Sequence, residues 1–510
     1  MKIVRSSSRL IPLSFWIVLL ITCTTLAFAQ SPDGKFDSAV IIHWNDFHSS
    51  NLPFEPTWGV PKGTFVGGYA NVAGYIDSLK RVYPGTLVLN GGDDFQGSPV
   101  SSLTKGMSQI LILNRIKPSA MTIGNHEFDY GPENLKKAIS AAQFPFVSCN
   151  LYDSTKNGLL TEPYVIVQSG NLKIAVIGFV LKTMKHSTLP ENVKGIGVLD
   201  PATEVMKYVR ELNDKTDLIV VLSHNGDDYD SLIANNLSDV DVIIGAHSHT
   251  PIRKPVVVNN ILICQAGSNG RYVGLLNAKV DKARKSIVSY DYQLIETRLG
   301  GVTASPIIAH VVDSLESNIR VEMDRVIGDL KVSWKRNDRG ESNIGSWICD
   351  VTREYFKTDI AMMNSGGIRK GLNAGPIKVR DLWEISPFDN SVEIISLTGE
   401  QLTELLKWRI ENPRDFLQIS GLRYVYNNQQ KHLISAEVNG KPIDPTKIYT
   451  IATNNFVVGQ FERFFGLKPE AVDIRHTPII GRDVMIDAVS KQPVIRYETD
   501  GRIIDQAGTN

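Results

Sequence analysis

Eight residues that are costly to bury stand at the ends of apolar runs in this chain. Asp46 and His48 follow residues 39–44, Asp93 follows 86–89, and Asn125 and His126 follow 120–123; His224 follows 218–222, and His247 and His249 follow 240–244. Carboxylates, carboxamides and imidazoles leave water only when they are paired or bound to a metal. One such residue after a strand reads as a cap or a turn residue. Five strands ending alike, with no cysteine spacing of a structural zinc site, point to a metal centre built from oxygen and nitrogen ligands. Asp46, His48, Asp93, Asn125, His224, His247 and His249 exceed what one tetrahedral ion needs. Two ions sharing a bridging carboxylate fit the count, and Asp93 is the natural bridge. Imidazole with carboxylate suits zinc, manganese or iron, and ligand type does not choose among them. Five of the ten histidines belong to this group, His126 included.

The elements that must position these residues follow from periodicity. The apolar runs above, with 172–179, predict strands, and residues 132–142 and 201–212 predict helices between them. Strands alternating with helices define an α/β domain with both sheet faces covered. In such sheets, sites gather beyond the strand ends. Asp46 and His48 are two apart, so both project from one side of an extended segment.

At 510 residues the chain exceeds one ordinary core, and two large domains are expected. Lys and Arg balance Asp and Glu at 54 each, so no basic surface points to a nucleic-acid polymer as partner. Lys2 and Arg5, the apolar run 11–20 and Ala27-Phe28-Ala29 form a secretory signal over residues 1–29, with a mature chain from Gln30 in the periplasm or outside the cell. No later stretch reaches membrane-spanning length. Cleavage leaves Cys149, Cys264 and Cys349. This set is too sparse for a disulfide framework and reads as small apolar fillers.

In order and type, Asn45-Asp46-Phe47-His48, Gly92-Asp93 with Gly97-Ser98, Gly124-Asn125-His126-Glu127, Ser223-His224 and Gly245-Ala246-His247-Ser248-His249 resemble the calcineurin-like metallophosphoesterases. Specifically, they resemble the secreted 5′-nucleotidase, UDP-sugar hydrolase and 2′,3′-cyclic phosphodiesterase family. The resemblance implies a four-layer αββα domain followed by a second α/β domain that recognises substrate. It implies that Asp46, His48, Asp93 and His249 hold one ion, and Asp93, Asn125, His224 and His247 the other. His126 would face the substrate with Asp129 orienting its ring, as a donor beside the charge that develops in phosphoryl transfer. Glu127 is expected to fix the loop rather than react.

Residues 307–326 predict a helix, with Ile308, Val311, Val312, Leu315, Ile319 and Met323 near helical spacing, and read as a linker. The expected division is a signal at 1–29, a first domain at 38–298, a linker at 299–326 and a second domain at 327–506. In the second half, 342–356 and 399–408 predict helices and 360–363, 422–426 and 448–452 strands. These segments resemble the C-terminal domain of the same family. The likeness implies that Asn364 contacts the base or ribose, that Arg369 contacts phosphate or ribose, and that Phe416 and Phe456 sandwich a base. Stacking of this kind is tolerant of base identity.

Two departures stand out. The family commonly carries Gly-Gly-Asp-Gly shortly after the second aromatic, its Asp binding ribose. Here Val457-Val458-Gly459-Gln460-Phe461-Glu462-Arg463-Phe464 puts Glu462 near the Asp position without the glycines. Many relatives also place an Arg directly before the Glu that opens the first helix of this domain, whereas here Gly340 precedes Glu341 and Arg339 sits one earlier. The expected function is a two-metal phosphohydrolase releasing phosphate from nucleoside 5′-monophosphates by a metal-activated hydroxide. The alternative keeps the metals and changes the substrate to a 2′,3′-cyclic or 3′-nucleotide, a UDP-sugar or another phosphoester. A binding protein with a fossil site would lack a ligand, and none is missing.

Overall fold

The computed structural model describes residues 36–56 and 59–506; the predicted signal lies outside the described residues. The first domain is built on two six-stranded sheets. One runs Ser286–Glu296, Tyr272–Asp281, Phe36–Trp44, Leu87–Asn90, Ala120–Thr122 and Phe146–Val147 in spatial order. The other runs Val256–Val258, Ile261–Cys264, Val242–Ile244, Leu218–His224, Leu172–Val180 and Tyr164–Ser169. The central strands of each are parallel. Parallel strands buried on both faces need continuous apolar sequence rather than alternation, as in Leu218–His224.

The facing sides of the sheets share one core, with Ile41, Leu89, Val176, Val220, Ile244 and Leu276 within it. Outside the first sheet lie the helices Tyr69–Val82, Met107–Ile116, Pro132–Ala141 and Pro306–Ser317. Outside the second lie Pro201–Leu212 and Asp227–Ala234. The result is the expected αββα stack. Pro201–Leu212 starts where its sequence dictates: Asp200 accepts a hydrogen bond from the Thr203 N–H at 3.1 Å, and proline takes the first helical position.

The second domain centres on a five-stranded sheet in the order Leu417–Ser420, Ile360–Asn364, Ile448–Asn454, Ser391–Thr398 and Asp473–Ile480. Asn343–Phe356 and Gly481–Lys491 cover one face, and Gly399–Glu411 with Phe461–Phe465 the other. Residues 417–420, just before the predicted strand 422–426, form a strand themselves, pairing antiparallel with Ala361–Asn364. Cys149, Cys264 and Cys349 are free and buried, each in a different hydrophobic cluster.

The predicted linker helix is interrupted. Pro306–Ser317 ends at Asn318, a short helix Arg320–Met323 follows, and Val326–Leu330 is a strand paired within the second half. Ile308 and Val312, four residues apart, are buried in the outer core of the first sheet. The first helix therefore packs as a layer of the first domain and is not a free connector.

Glu316, at its end, faces across to the second half, where Arg380 Nη1 lies 2.7 Å from its carboxylate. Arg380 Nε also donates to Asp324 at 3.1 Å. Both Glu316 and Arg380 are buried. Removing one partner of a buried pair leaves a charge without compensation, at about 3–5 kcal/mol. Arg380→Met should lower the urea unfolding midpoint accordingly, and adding Glu316→Leu should recover most of the loss.

Candidate metal centre and substrate cavity

The strand exits of both sheets meet at one end of the sandwich. Asp46, His48, Asp93, His247 and His249 have φ of 49, 48, 59, 76 and 58°. Left-handed backbone costs a residue other than glycine about 1–3 kcal/mol, and Asp, Asn and His tolerate it best. Here backbone hydrogen bonds between neighbouring exits enforce it: the N–H groups of Asp46 and His48 donate to the carbonyls of Gly92 and Asp93, each at 2.9 Å. His224 differs from the sequence expectation. It is the last residue of its strand, in register with Val180, so it reaches the cluster from within the sheet.

The side chains gather in two groups. Asp46, His48 and His249 have ligand atoms within 4.8 Å of one another, and so do Asp93, His224 and His247. A third grouping, His48, Asp93 and His126, lies across the two. Asn125 Oδ1 is 3.3 Å from His224 Nε2. All seven predicted ligands thus converge on one region.

Each group is held from behind. The His224 Nδ1–H donates to the Gly91 carbonyl at 2.8 Å, which turns Nε2 toward Asp93, 3.1 Å away. Asp46 accepts the His247 backbone N–H at 2.9 Å and the Asn45 amide at 2.6 Å. Glu127 accepts the backbone N–H groups of Asp93, Asp94 and Gly124 at 2.9, 2.7 and 2.7 Å, so it fixes two strand exits, as expected. Imidazoles oriented by a carbonyl on one nitrogen and free to ligate with the other are what a metal centre requires.

Electrostatics agree. Burial alone would raise the Asp93 carboxyl, but the imidazoles of His224 and His126 hold it well below the usual carboxylate range. Burial opposes charge on His224 as well, yet Asp93 pushes it up to about 10. Burial and then His224 bring His247 down to about 4, and burial, Arg369 and His249 hold His48 well below its ordinary value. Buried carboxylates thus draw positive charge onto His224, while His48 and His247 stay neutral and able to ligate. The donor set fits divalent ions.

Beside the cluster, between the domains, lies a cavity of about 390 Å³. Asn125, His126, Asp129 and His247 line it from the first domain, and Asn364, Arg369, Phe388 and Phe456 from the second. The His126 Nδ1–H donates to Asp129 at 2.8 Å, and Arg369 Nη2 reaches His48 Nε2 at 3.1 Å. Asn364 Oδ1 accepts from the Asn454 amide at 3.0 Å. Phe416 is half-buried and is not among the residues lining the cavity.

The altered loop does not bring Glu462 to the cavity. Residues Phe461–Phe465 form a helical turn whose Phe461, Phe464 and Phe465 are buried in the second-domain core. That anchoring turns Glu462 out to solvent and Arg463 into the cavity lining, where it pairs with Asp415 and donates to the His186 carbonyl. Arg339 is exposed. Arg336, three residues earlier, lies near Arg369 instead, its guanidinium donating to the Arg369 carbonyl at 3.3 Å.

Sequence reading missed Gln96, Phe388 and Arg463. Gln96 is buried, with both amide atoms unpartnered, and lines the cavity. Its place in the quoted Asp93–Ser98 motif was the available signal. Phe388 carried none, because its His126 partner comes from the other domain, and Arg463 stood in the quoted 457–464 segment with no sign that it would face the cavity.

A family profile of calcineurin-like phosphoesterases matches residues 39–251, and one of the 5′-nucleotidase C-terminal domain matches residues 326–468. The endonuclease YhcR of Bacillus subtilis is 30% identical over 82% of this chain, which spans 37% of that relative's length. The 5′-nucleotidase of Vibrio cholerae is 28% identical, with 87% of this chain and 89% of that one covered. The crystal structure of a 5′-nucleotidase precursor from Thermus thermophilus superposes with a TM-score of 0.84 at 28% identity, covering 92% of this chain and 99% of that one. The two domains and their cluster of ligating side chains define a metallophosphoesterase. The chain belongs to the 5′-nucleotidase family of calcineurin-like metallophosphoesterases.

Gly124 sits where a Cβ would be driven into the Asp93 carboxylate and the His224 ring. Gly124→Ala should therefore weaken divalent-ion binding about 10- to 100-fold, as loss of outer support does. Calorimetric titration with manganese or zinc checks this without reference to activity.

Proposed function

We propose that the chain is a secreted 5′-nucleotidase that uses two divalent ions of the zinc, manganese or iron class. In this reading Asp46, His48, Asp93 and His249 hold one ion, Asp93, Asn125, His224 and His247 hold the other, and the domains divide near residue 327. The observation that carries it is the shared cavity, with the ligating cluster and His126 on one wall and Asn364, Arg369 and Phe456 on the other.

Bound divalent ions supply Lewis-acid charge and a nucleophilic water at neutral pH. The chain's own residues do the rest. Asp129 holds the His126 proton on Nδ1 and directs Nε2 toward the cavity, where it serves as a donor to a phosphoryl oxygen. Arg369 brings a fixed positive charge from the second domain to the edge of the cluster. Phe456 offers a face for a base, and Phe416 joins it once a base draws the two together. Asn364, held by Asn454, presents an amide to the base or sugar. The signal over residues 1–29 sends the enzyme to the periplasm or the medium, where a small nucleotide is its partner.

One observation favours a second reading on the same metals. Glu462 points away and Arg463 takes its side of the cavity, so a 2′,3′-cyclic or 3′-nucleotide, a UDP-sugar or another phosphoester could replace the 5′-nucleotide.

Phosphate release from 5′-AMP, 3′-AMP, 2′,3′-cyclic AMP, UDP-glucose and p-nitrophenyl phosphate separates the readings. The expected result is a preference for 5′-AMP that EDTA abolishes and manganese or zinc restores; hydrolysis of p-nitrophenyl phosphate alone would reject the nucleotide pocket. His126→Gln should lower kcat on 5′-AMP about 100- to 1,000-fold with bound metal unchanged. Phe456→Ala should raise KM for 5′-AMP by the equivalent of about 1–3 kcal/mol while sparing p-nitrophenyl phosphate.

A further inference from the structure

Phe388 stands in the segment 386–390 that joins the helix Val379–Ile385 to the strand Ser391–Thr398. Its ring lies 5.7 Å from the His126 ring, tilted 31°, and the Arg369 guanidinium is 5.9 Å from the Phe388 centroid. One aromatic side chain thus lies against two donors that line the cavity, one from each domain. An arginine at that distance from an aromatic face is attracted to it. The ring therefore restrains Arg369 on one side and His126 on the other.

The segment that carries Phe388 takes most of its side-chain hydrogen bonds from one buried residue. Arg482, at 4% exposure, opens the helix Gly481–Lys491. Its guanidinium lies over the Trp383 ring at 3.5 Å. Nη1 donates to the Ser386 carbonyl at 3.2 Å and the Phe388 carbonyl at 3.5 Å, and Nη2 donates to Asp389 at 2.6 Å. From the first domain, the Ser102 hydroxyl donates to the Pro387 carbonyl at 3.5 Å. A planar guanidinium stacked on indole and forked over two carbonyls and a carboxylate fixes the segment in a way that a lysine ammonium does not reproduce.

We infer that Arg482 is a positioning residue for phosphoester hydrolysis, acting through Phe388 to keep His126 and Arg369 in register over the metal cluster. This rests on the hydrolase reading above. Arg482 touches neither donor; its effect passes through the backbone and ring of Phe388. A displacement of about 1 Å at such donors is worth roughly 100-fold in rate, so a distant guanidinium can govern turnover without contacting substrate.

A double-mutant cycle on p-nitrophenyl phosphate tests this, because that ester leaves the base pocket out. Arg482→Met and Phe388→Ala should each lower kcat about tenfold or more, with KM, calorimetric metal binding and melting temperature changed little. In the Phe388→Ala background, Arg482→Met should cost less than about a further twofold, since the ring it positions is gone. Equal losses in both backgrounds, or a lowered melting temperature with unchanged kcat, would overturn the inference. If Arg482→Met does not fold, Asp389→Asn carries the same cycle, because it weakens one bond of the fork at an exposed carboxylate. Wild-type chain that releases no phosphate with any divalent ion counts against the hydrolase reading, whereas active wild type with additive losses counts against Arg482 alone.

Discussion

Two carboxylates, Asp46 and Asp93, are shut away from water and set among the imidazoles of His48, His126, His224, His247 and His249. Ionised carboxylates do not persist in such a place without positive charge close by. Everything around them serves that requirement. The strand exits turn through left-handed backbone to bring imidazole nitrogens to carboxylate oxygens, and Glu127 ties two of the exits together through three backbone N–H groups. Glu127 has its own tension. Burial and then Asp93 push its carboxyl up to about 7, against the N–H groups that favour its ionised form. A cluster with this much buried acidity is organised around a cation.

The second domain is organised by the same demand, applied from the other side. A cation-rich wall is needed where an anionic phosphoryl group meets the cluster, and Arg369 reaches His48 from the exit of Ile360–Asn364. The packing of helix Pro306–Ser317 on the first domain then has a clear role. It delivers the chain to the second domain from a fixed point, and the Glu316–Arg380 pair ties that point to the second domain's own helix Val379–Ile385. Farther out, Gln460 and Arg463 donate to the carbonyls of Lys185, His186 and Thr188, so the domains touch on both sides of the cavity.

The fold of the first domain and the convergence of its ligands were legible because both rest on local signals. Apolar runs name the strands, and residues that are costly to bury stop them. What was not legible depended on contacts across the chain. The left-handed turns at Asp46, His48, Asp93, His247 and His249 leave no trace in composition, since Asp and His serve equally well as ordinary turn residues. The linker helix read as one piece because Ile319 and Met323 continue the apolar spacing through Asn318, where the helix ends. Glu462 looked like a ribose ligand by position alone. The burial of Phe461, Phe464 and Phe465 rotates it outward, and nothing within eight residues of sequence says which phenylalanines will be buried.

The three cysteines among the described residues carry a consequence for how this protein meets its surroundings. Cys149 lies under the outer helices of the second sheet, Cys264 between the sheets, and Cys349 in the second domain. Burial raises all three thiols, and a protonated, enclosed thiol is a poor nucleophile. With no two of them in one cluster, these three have no crosslink to form with one another in the native state. Each thiol therefore becomes available to an alkylating reagent only when its own layer of the molecule comes apart.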